Sequence, residues 1–403
     1  MEPTREQWTE LYQVALKLRK QKPWQWMNMG QVFAITDPAN GVNYYCSVQS
    51  EEQLDYVQIL IGEDGLNRIL SLLESISRGA EYSEEEETLD AANGLAAYML
   101  NFDERSLNCF FTDKEHLSQY EAEVLQKLGL SFRGNKQWIS FRHIQPGRLT
   151  ESVHEAEQVR ILTMVLEQVY HVCALEKKKP FIRDLFHDLA ASEVFQWFYS
   201  PTTEKWQGTF LSLEAIMRDT QPIICDNQLD LLKLRRLKGS RQIFEFVRMY
   251  MPMPVEHHGR LLFPLTFLLV NMDNGMIVWN HIDTGDEGYE LRLIQKVAEF
   301  FLKEGQKPSR LLTADYVLYQ IIADFCDQSK IFLEYLSYTI AGDEILESFQ
   351  ESTRLTYAAM EPTFMEMDKE KHILDYVTRD ESEPKHTAQS AKIIDFRTGK
   401  PVE

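Results

Sequence analysis

The stretch QVFAITDPANGVNYYCSV, residues 31–48, decides the fold of the first half of the chain. It contains two short runs rich in β-branched and aromatic residues, which favour β-strands. The runs are joined by PANG, residues 38–41, in which the Asn-Gly pair supplies the positive φ angles of a tight turn. A third run of the same kind, DYVQILIG, follows at residues 55–62. The three runs together predict an antiparallel meander.

Helical periodicity surrounds this predicted meander. Thr4 and Gln7 have the spacing of a capping box, and apolar residues recur with the helical period after them. GEDG, residues 62–65, is interpreted as a strand-to-helix turn, and a long helix is predicted over residues 151–178. GLAAYMLNF, residues 94–102, is predicted as a further strand. These elements indicate an α+β domain over residues 1–178.

The rest of the chain has a different order of elements. A hairpin is predicted around PTTE, residues 201–204. Three strands within residues 241–282 then precede alternating helices and strands, which predicts an α/β domain with a mixed sheet over residues 179–365. Its strand order is reminiscent of ribonuclease-H-like folds, and this is an analogy of fold alone. Residues 366–403 are polar and are predicted to form a C-terminal tail.

Composition disfavours several classes of partner. The chain has 62 acidic and 42 basic side chains and a formal net charge of -20, so its average field repels phosphate backbones and anionic membranes. Its 5 cysteines show no C-x-x-C spacing, which favours buried thiols in a reducing compartment. The N-terminus has no apolar segment typical of export, and apolar runs elsewhere are no longer than strands. We therefore expect a cytoplasmic protein without a membrane or nucleic-acid partner.

The sequence resembles an uncharacterised bacterial family in which a second domain of unknown function commonly follows the first. The motifs that carry this resemblance are PWQWM (residues 23–27), VFAITDP with Gly41, GEDGL (residues 62–66) and LGLSFRGNKQWISFR (residues 128–142). Residues 180–360 are similar to the second domain. The resemblance implies a bacterial cytoplasmic protein and no particular activity. The chain departs from the family's Trp-Pro and Pro-Gly-x-x-Pro-Trp pattern at Ile139 and after Gly147, which would alter any surface built on those residues.

Motifs for common chemistries are absent from the sequence. It has no G-x-x-x-x-G-K-[ST], no G-x-G-x-x-G and no G-x-S-x-G, so no cofactor is expected. His154-Glu155 begins like a zinc-protease helix, but Gln158 stands where the second histidine is required. His257 and His258 are a candidate metal cluster on a loop, or a pair of solvent-exposed side chains.

One enzymatic hypothesis comes from the expected strand order of the second domain. Ribonuclease-H-like nucleases hold two metal ions with carboxylates from separate elements. Glu245, Asp315 and Asp343 are the candidate ligands in such an arrangement. The alternative is that Glu245 is a paired carboxylate and that Asp315 caps the following helix. No aspartate occurs between residues 240 and 270, which counts against this metal-dependent phosphodiesterase.

Two further groups of residues suggest binding. A basic helix is predicted over residues 231–241, either for nucleic acid or as an ordinary amphipathic surface helix, with Lys233, Arg235, Arg236, Lys238 and Arg241. A second group is aromatic and forms either a structural clamp or the rim of a partner groove, with Trp24, Trp26, Tyr44, Tyr45 and Trp138. The sequence favours a non-catalytic binding or accessory module with an unidentified protein partner.

Overall fold

The chain folds into two compact units. The computed structural model describes residues 1–51, 54–81, 94–186, 193–213, 223–225, 227–258, 260–359, 394–395 and 400–401. The N-terminal unit comprises residues 1–77, 103–146 and 150–220, and the C-terminal unit comprises residues 78–102, 147–149 and 221–403. Both units are discontinuous in sequence, whereas a single boundary after residue 178 was expected.

The helices and strands of the described residues are numbered in chain order. The helices are α1 (Arg5–Gln21), α2 (Gly62–Glu81), α3 (Leu95–Phe102), α4 (Gln119–Leu128), α5 (Ala156–Lys178), α6 (Gln228–Arg236), α7 (Tyr289–Glu304), α8 (Tyr316–Ser329) and α9 (Gly342–Ala359). The first strands are β1 (Phe33–Thr36), β2 (Asn43–Ser50), β3 (Asp55–Ile61), β4 (Ser106–Thr112), β5 (Trp138–Ile144), β6 (Glu151–Ser152), β7 (Glu193–Ser200), β8 (Lys205–Ser212) and β9 (Lys238–Gly239). The others are β10 (Ile243–Tyr250), β11 (Val255–His257), β12 (Arg260–Leu262), β13 (Leu265–Asn271), β14 (Ile277–Asp283), β15 (Gln306–Lys307), β16 (Arg310–Thr313), β17 (Phe332–Tyr335), β18 (Ile394–Asp395) and β19 (Lys400–Pro401).

The N-terminal unit is built on one sheet with the strand order β6-β5-β4-β3-β2-β1-β7-β8. Strands β1 to β6 follow one another in sequence, and each is antiparallel to the next. Strand β7 runs parallel to β1, and β8 completes a hairpin with β7. The predicted hairpin around residues 201–204 is therefore present, but it extends the first sheet although it lies beyond residue 178.

Both faces of this sheet pack against helices. Phe33 and Cys46 belong to the core that includes the buried sides of α1 and α5. Tyr45 and Leu60 belong to a second core that includes Leu66 of α2. Neighbouring residues of a strand point to opposite faces, so the sheet separates the two cores. Helix α1 begins with the predicted capping box, in which the Gln7 amide donates to Thr4 Oγ1 at 3.2 Å.

Residues 95–102 form a helix, α3, and the predicted strand at this position was wrong. The segment is almost wholly apolar, so its sequence shows no clear polar face. The buried side chains Leu95, Tyr98, Met99 and Phe102 recur with the helical spacing and belong to the core of the C-terminal unit. The tertiary environment therefore selects the helix over a strand of similar apolar content.

The C-terminal unit contains a mixed sheet with the strand order β14-β13-β10-β16-β17. Strand β13 is antiparallel to both β10 and β14, whereas β10, β16 and β17 are parallel to one another. All seven residues of β13 are buried, and five of them are apolar. The amino ends of the three parallel strands share one edge of the sheet, here named the amino edge. Their carboxyl ends share the opposite edge, named the carboxyl edge.

Most of the predicted tail, residues 366–403, lies outside the described residues. Within it, β18 and β19 pair as two short antiparallel strands. Among the described helices, none combines the length and the apolar composition that a membrane crossing requires.

Candidate functional site

Glu245 is the third residue of β10, pairs with Leu312 near the carboxyl end of β16, and is only 1% exposed. Its Oε1 accepts hydrogen bonds from Thr339 Oγ1 at 2.5 Å and from the Ile340 amide at 3.0 Å. Its Oε2 accepts one from the Ala341 amide at 2.7 Å. These donors immediately precede α9, so the carboxylate faces the positive end of that helix. Glu245 therefore attaches the loop at residues 339–341 to the central strand.

Asp315 and Asp343 are also engaged by protein groups. Asp315 caps α8 by accepting from the Leu318 amide at 2.7 Å, and its other oxygen accepts from Arg248 Nε at 2.8 Å. The Arg248 side chain is 3% exposed, so this is a buried ion pair. Asp343 accepts from the Leu95 amide at 2.7 Å. Burial raises the pKa of the Asp343 carboxyl, and the Leu95 hydrogen bond opposes that shift.

The three carboxylates act as structural acceptors at three separate positions. Each accepts at least one short hydrogen bond from a backbone amide in the first turn of a helix or just before it. In the part of the chain that the structure describes, no three carboxylate, imidazole or thiol groups are placed to hold a metal ion. The arrangement at the carboxyl edge stabilises helix ends and the loop before α9.

His257 and His258 lie at the end of the short hairpin β11–β12. Their ring centroids are 4.1 Å apart in an edge-to-face arrangement. His258 has a φ of 51°, the left-handed geometry of a turn residue. Across this hairpin His257 is paired with Arg260, a cation rather than a further metal ligand.

Four of the five predicted aromatic residues, Trp24, Trp26, Tyr44 and Trp138, pack into one core of the N-terminal unit, and Tyr45 belongs to the other core. The Trp24 ring packs against Phe111 at 4.7 Å between centroids. Tyr44 and Tyr45 are both buried, and as neighbours on β2 they point to opposite faces of the sheet. Trp138 lies edge-to-face against Phe132.

The indole nitrogen of Trp26 is buried without a hydrogen-bond acceptor among the described residues. Its ring receives Lys177 Nζ at 5.6 Å from the centroid, a cation–π contact. Trp26 otherwise packs against the same core as Trp24 and Trp138. The structural clamp and the partner groove both stay predictions for these residues.

The predicted basic helix ends earlier than expected. Helix α6 stops at Arg236, and Lys238–Gly239 forms β9, which pairs in parallel with Gln306–Lys307 of β15. Leu237 is the C-cap and adopts an extended conformation, so the backbone leaves the helix before the last two basic residues. Lys233 is paired with Asp230 at 2.7 Å.

Lys307 joins three segments of the chain at the amino edge. It is buried, and its Nζ donates to the Ser329 carbonyl at 2.6 Å and to the Arg235 carbonyl at 3.4 Å. It therefore connects the carboxyl ends of α6 and α8. Burial lowers the pKa of the Lys307 ammonium, and the charges of Arg235 and Lys330 lower it further.

A group of exposed cations surrounds this buried lysine. We name them the amino-edge cluster: Arg235, Arg236, Lys238, Arg241 and Lys330. None of them forms an ion pair with another described residue, whereas the neighbouring Arg310 is paired with Glu334 at 2.9 Å. Among the described residues, the cluster is therefore a positive surface without ion-pair partners, on a chain of net charge -20.

Comparison with known proteins assigns both halves of the chain to domain families. Residues 8–195 match a domain of unknown function, DUF7309, and residues 230–350 match a second domain of unknown function, DUF6930. The chain thus contains one region similar to DUF7309 and a second region similar to DUF6930. The expected pairing of two uncharacterised domains is thus confirmed, while the bacterial origin stays a prediction.

Other comparisons add no function to the DUF7309 and DUF6930 domains. No curated protein matches the chain. A chain from the cryo-EM structure of the simian T-cell lymphotropic virus intasome in complex with PP2A regulatory subunit B56 gamma is 12% identical. That alignment covers 50% of this chain and 77% of the other, with a TM-score of 0.22, and a score this low supports no argument about fold or function.

Sequence reasoning identified only part of the amino edge of the DUF6930 domain. The four cluster residues between positions 235 and 241 are adjacent in sequence and were recognised together. Lys307 and Lys330 come from distant segments and reach the same edge because β16 and β17 run parallel to β10. Arg248, the partner of Asp315, was also missed, since a single arginine in an apolar strand has no pairing signal in the sequence.

Proposed function

We propose that this protein is a non-catalytic binding module that holds an acidic segment of a protein partner at the amino-edge cluster of its DUF6930 domain. The observation that carries the proposal is the meeting of five exposed cations without acidic partners among the described residues, on a chain of net charge -20. Like charges repel when they are gathered, and an acidic ligand would relieve that repulsion.

Helix ends account for only part of this cluster. Arg235 and Arg236 lie in the last turn of α6, and Lys330 is the C-cap of α8, where cations offset the negative end of the helix dipole. Lys238 lies beyond the helix in β9, and Arg241 precedes β10. These two cations have no helix end to stabilise, which favours a role in binding.

A short acidic segment suits the cluster better than a long polyanion. Charges separated by more than about 8 Å are largely screened at physiological salt. A peptide confined to the cluster would therefore interact mainly with the local cations. A nucleic acid extending past the cluster would approach the acidic surface that the net charge of -20 requires elsewhere.

The proposal includes a ribonuclease-H-like arrangement of the C-terminal unit without metal chemistry. The first part is supported by a strand order in which three antiparallel strands are followed by two parallel strands on the other side of β10. The second part is supported by the hydrogen bonds that engage Glu245 and by the Arg248–Asp315 ion pair. A cytoplasmic location is part of the same proposal, supported by the five buried free cysteines.

The test is a fluorescence anisotropy titration of the full chain with a labelled Glu-rich peptide. The comparison probes are the same peptide with every Glu replaced by Gln, and a single-stranded DNA oligonucleotide. We expect the Glu-rich peptide to bind most tightly at low salt and its affinity to fall as salt is added. Combining Arg236→Glu with Arg241→Glu should weaken binding by about tenfold or more.

The matched control combines Lys17→Glu with Lys20→Glu, two exposed lysines of α1 in the N-terminal unit. It changes the net charge by the same amount and should leave the affinity within about twofold. Equal losses in both variants, or no binding of the Glu-rich peptide at low salt, would refute the proposal. Tighter binding of the DNA, lost in the Arg236/Arg241 variant, would favour nucleic-acid binding instead.

A further inference from the structure

Helix α6 exposes two leucines beside the amino-edge cluster. Leu229 is 64% exposed and Leu232 is 50% exposed. Exposed large apolar residues occur on other described helices, namely Leu175 on α5 and Leu291 on α7, but there each stands alone. Two such leucines within one helical turn form a small apolar contact surface next to the cations.

The leucines and two cations share one face of α6. At about 100° per residue, Leu229, Leu232, Lys233 and Arg236 fall within roughly 100° of one another around the helix. The buried residues of α6, Leu231 and Leu234, lie on the opposite side, in the core of the C-terminal unit. The exposed face is therefore apolar in its first turn and basic in its last turn, over a length of about 10 Å.

We propose that the partner segment is amphipathic as well as acidic, with apolar side chains that pack on Leu229 and Leu232 and carboxylates that pair with Arg236 and the rest of the amino-edge cluster. This inference rests on the proposed function, since it describes the partner of the same surface. Charge complementarity selects an acidic partner, and the adjacent leucines select apolar anchors within it.

Two other occupants fit these observations less well. An anionic membrane would also attract cations and leucines, but the net charge of -20 opposes approach of the whole chain to such a surface. Helix α6 has only nine residues, and its Leu231 and Leu234 are buried in the protein core. It therefore offers only two leucines for insertion into a membrane. A second copy of the chain brings the same net charge to the interface, which disfavours self-association there.

The test compares two labelled peptides in anisotropy titrations with the full chain. Both peptides carry the same number of glutamates, and only the first carries leucines at helical spacing, which serine replaces in the second. We expect the leucine peptide to bind about tenfold more tightly. Combining Leu229→Ser with Leu232→Ser should remove that advantage and leave binding of the serine peptide within about twofold.

The matched control combines Leu175→Ser with Leu291→Ser, exposed leucines of two other helices, and should leave both affinities unchanged. Thermal melts show whether each variant stays folded. This inference would be overturned if the two peptides bind equally well and the Arg236/Arg241 variant binds neither. That result would still support the proposed function. If the Arg236/Arg241 variant still binds both peptides with unchanged affinity, the inference and the proposed function are both overturned.

Two additional measurements address the other occupants. Co-sedimentation with phosphatidylserine vesicles that depends on Leu229 and Leu232, without preference for the leucine peptide, would assign the face to membranes and overturn the inference. A dimer in light scattering that the Leu229/Leu232 variant dissociates would assign the face to a second copy and overturn it as well. We expect neither vesicle binding nor dimer formation through this face.

Discussion

Replacing Glu245 by glutamine separates a structural carboxylate from a metal ligand. The carboxylate accepts from Thr339 Oγ1 and from the Ile340 and Ala341 amides. In Glu245→Gln one acceptor oxygen becomes an NH₂ donor, so at least one of these hydrogen bonds is lost. If the amide oxygen keeps the first two donors, the Ala341 N–H faces another donor in a buried place.

The expected magnitude follows from these contacts. An unsatisfied buried donor costs about 1–3 kcal/mol, and losing a negative charge at a helix N-terminus costs about 0.3–1 kcal/mol more. We therefore expect Glu245→Gln to lower the free energy of unfolding of the C-terminal unit by about 2–3 kcal/mol. Functional carboxylates behave in the opposite way, because their neutralisation is commonly neutral or stabilising. The sign of the change distinguishes the two roles.

Urea unfolding followed by hydrogen-exchange mass spectrometry measures this change. Peptides from the two units report their unfolding separately, which a two-unit chain requires. The Ile340 and Ala341 amides should also exchange faster in the variant. The control is Glu334→Gln, a partly exposed carboxylate paired with Arg310, which should cost less than about 1 kcal/mol. Unchanged or increased stability of Glu245→Gln would refute the structural assignment.

Two further predictions concern buried charges of the C-terminal unit. Asp315→Asn breaks the buried ion pair with Arg248 and should destabilise the unit by up to about 3–5 kcal/mol. Urea unfolding should show that adding Arg248→Met restores part of the loss. Burial lowers the pKa of the His281 imidazole beside Asp283, so the unfolded state binds its proton more readily. The free energy of unfolding should therefore fall as the pH drops below about 6.5, the usual histidine pKa. Unfolding measured at several pH values should show a smaller fall for His281→Phe than for the unchanged chain. An identical fall in both would contradict this reasoning.

Local sequence signals predicted those parts of the fold in which local and tertiary preferences agree. The Thr4–Gln7 capping box and the hairpin at residues 201–204 are fixed by neighbouring residues, and both are present. The segment at residues 94–102 was assigned wrongly, because a short apolar run without regularly spaced polar residues is compatible with a strand as well as with a helix. Its hydrogen bond from the Leu95 amide to Asp343 joins residues 248 positions apart, which no local pattern contains.

The β7–β8 hairpin shows that local sequence signals also did not predict which sheet this hairpin joins. Composition placed a boundary at the lysine run that ends α5, yet β7 returns to pair with β1 through Phe33 and Phe195. A parallel pairing of this kind needs a long connection, so its two strands carry no shared turn that sequence could reveal. The boundary expected from composition therefore divides a single sheet.

The candidate site shows why residue type alone did not identify its chemistry. Glu245, Asp315 and Asp343 have the side chains of a metal site, and their elements are those the sequence indicated. What sequence could not provide is the set of donors that meet each carboxylate, namely the amides before α9, the arginine of β10 and the first amide of α3. A carboxylate already saturated by such donors is a poor ligand, whatever its position in the strand order.

The two edges of the C-terminal sheet therefore differ in how their charges are used. Ligands of open α/β sheets commonly bind outside the carboxyl ends of the strands, where the strand order reverses. In this chain that place is next to the Arg248–Asp315 ion pair and the loop held by Glu245, so its carboxylates are engaged by an arginine or by hydrogen-bond donors within the protein. At the amino edge, Lys307 holds the ends of α6 and α8 together, and the cations around it have no acidic partner among the described residues. Free charge attracts a ligand and paired charge does not, which is the physical reason for assigning binding to the amino edge.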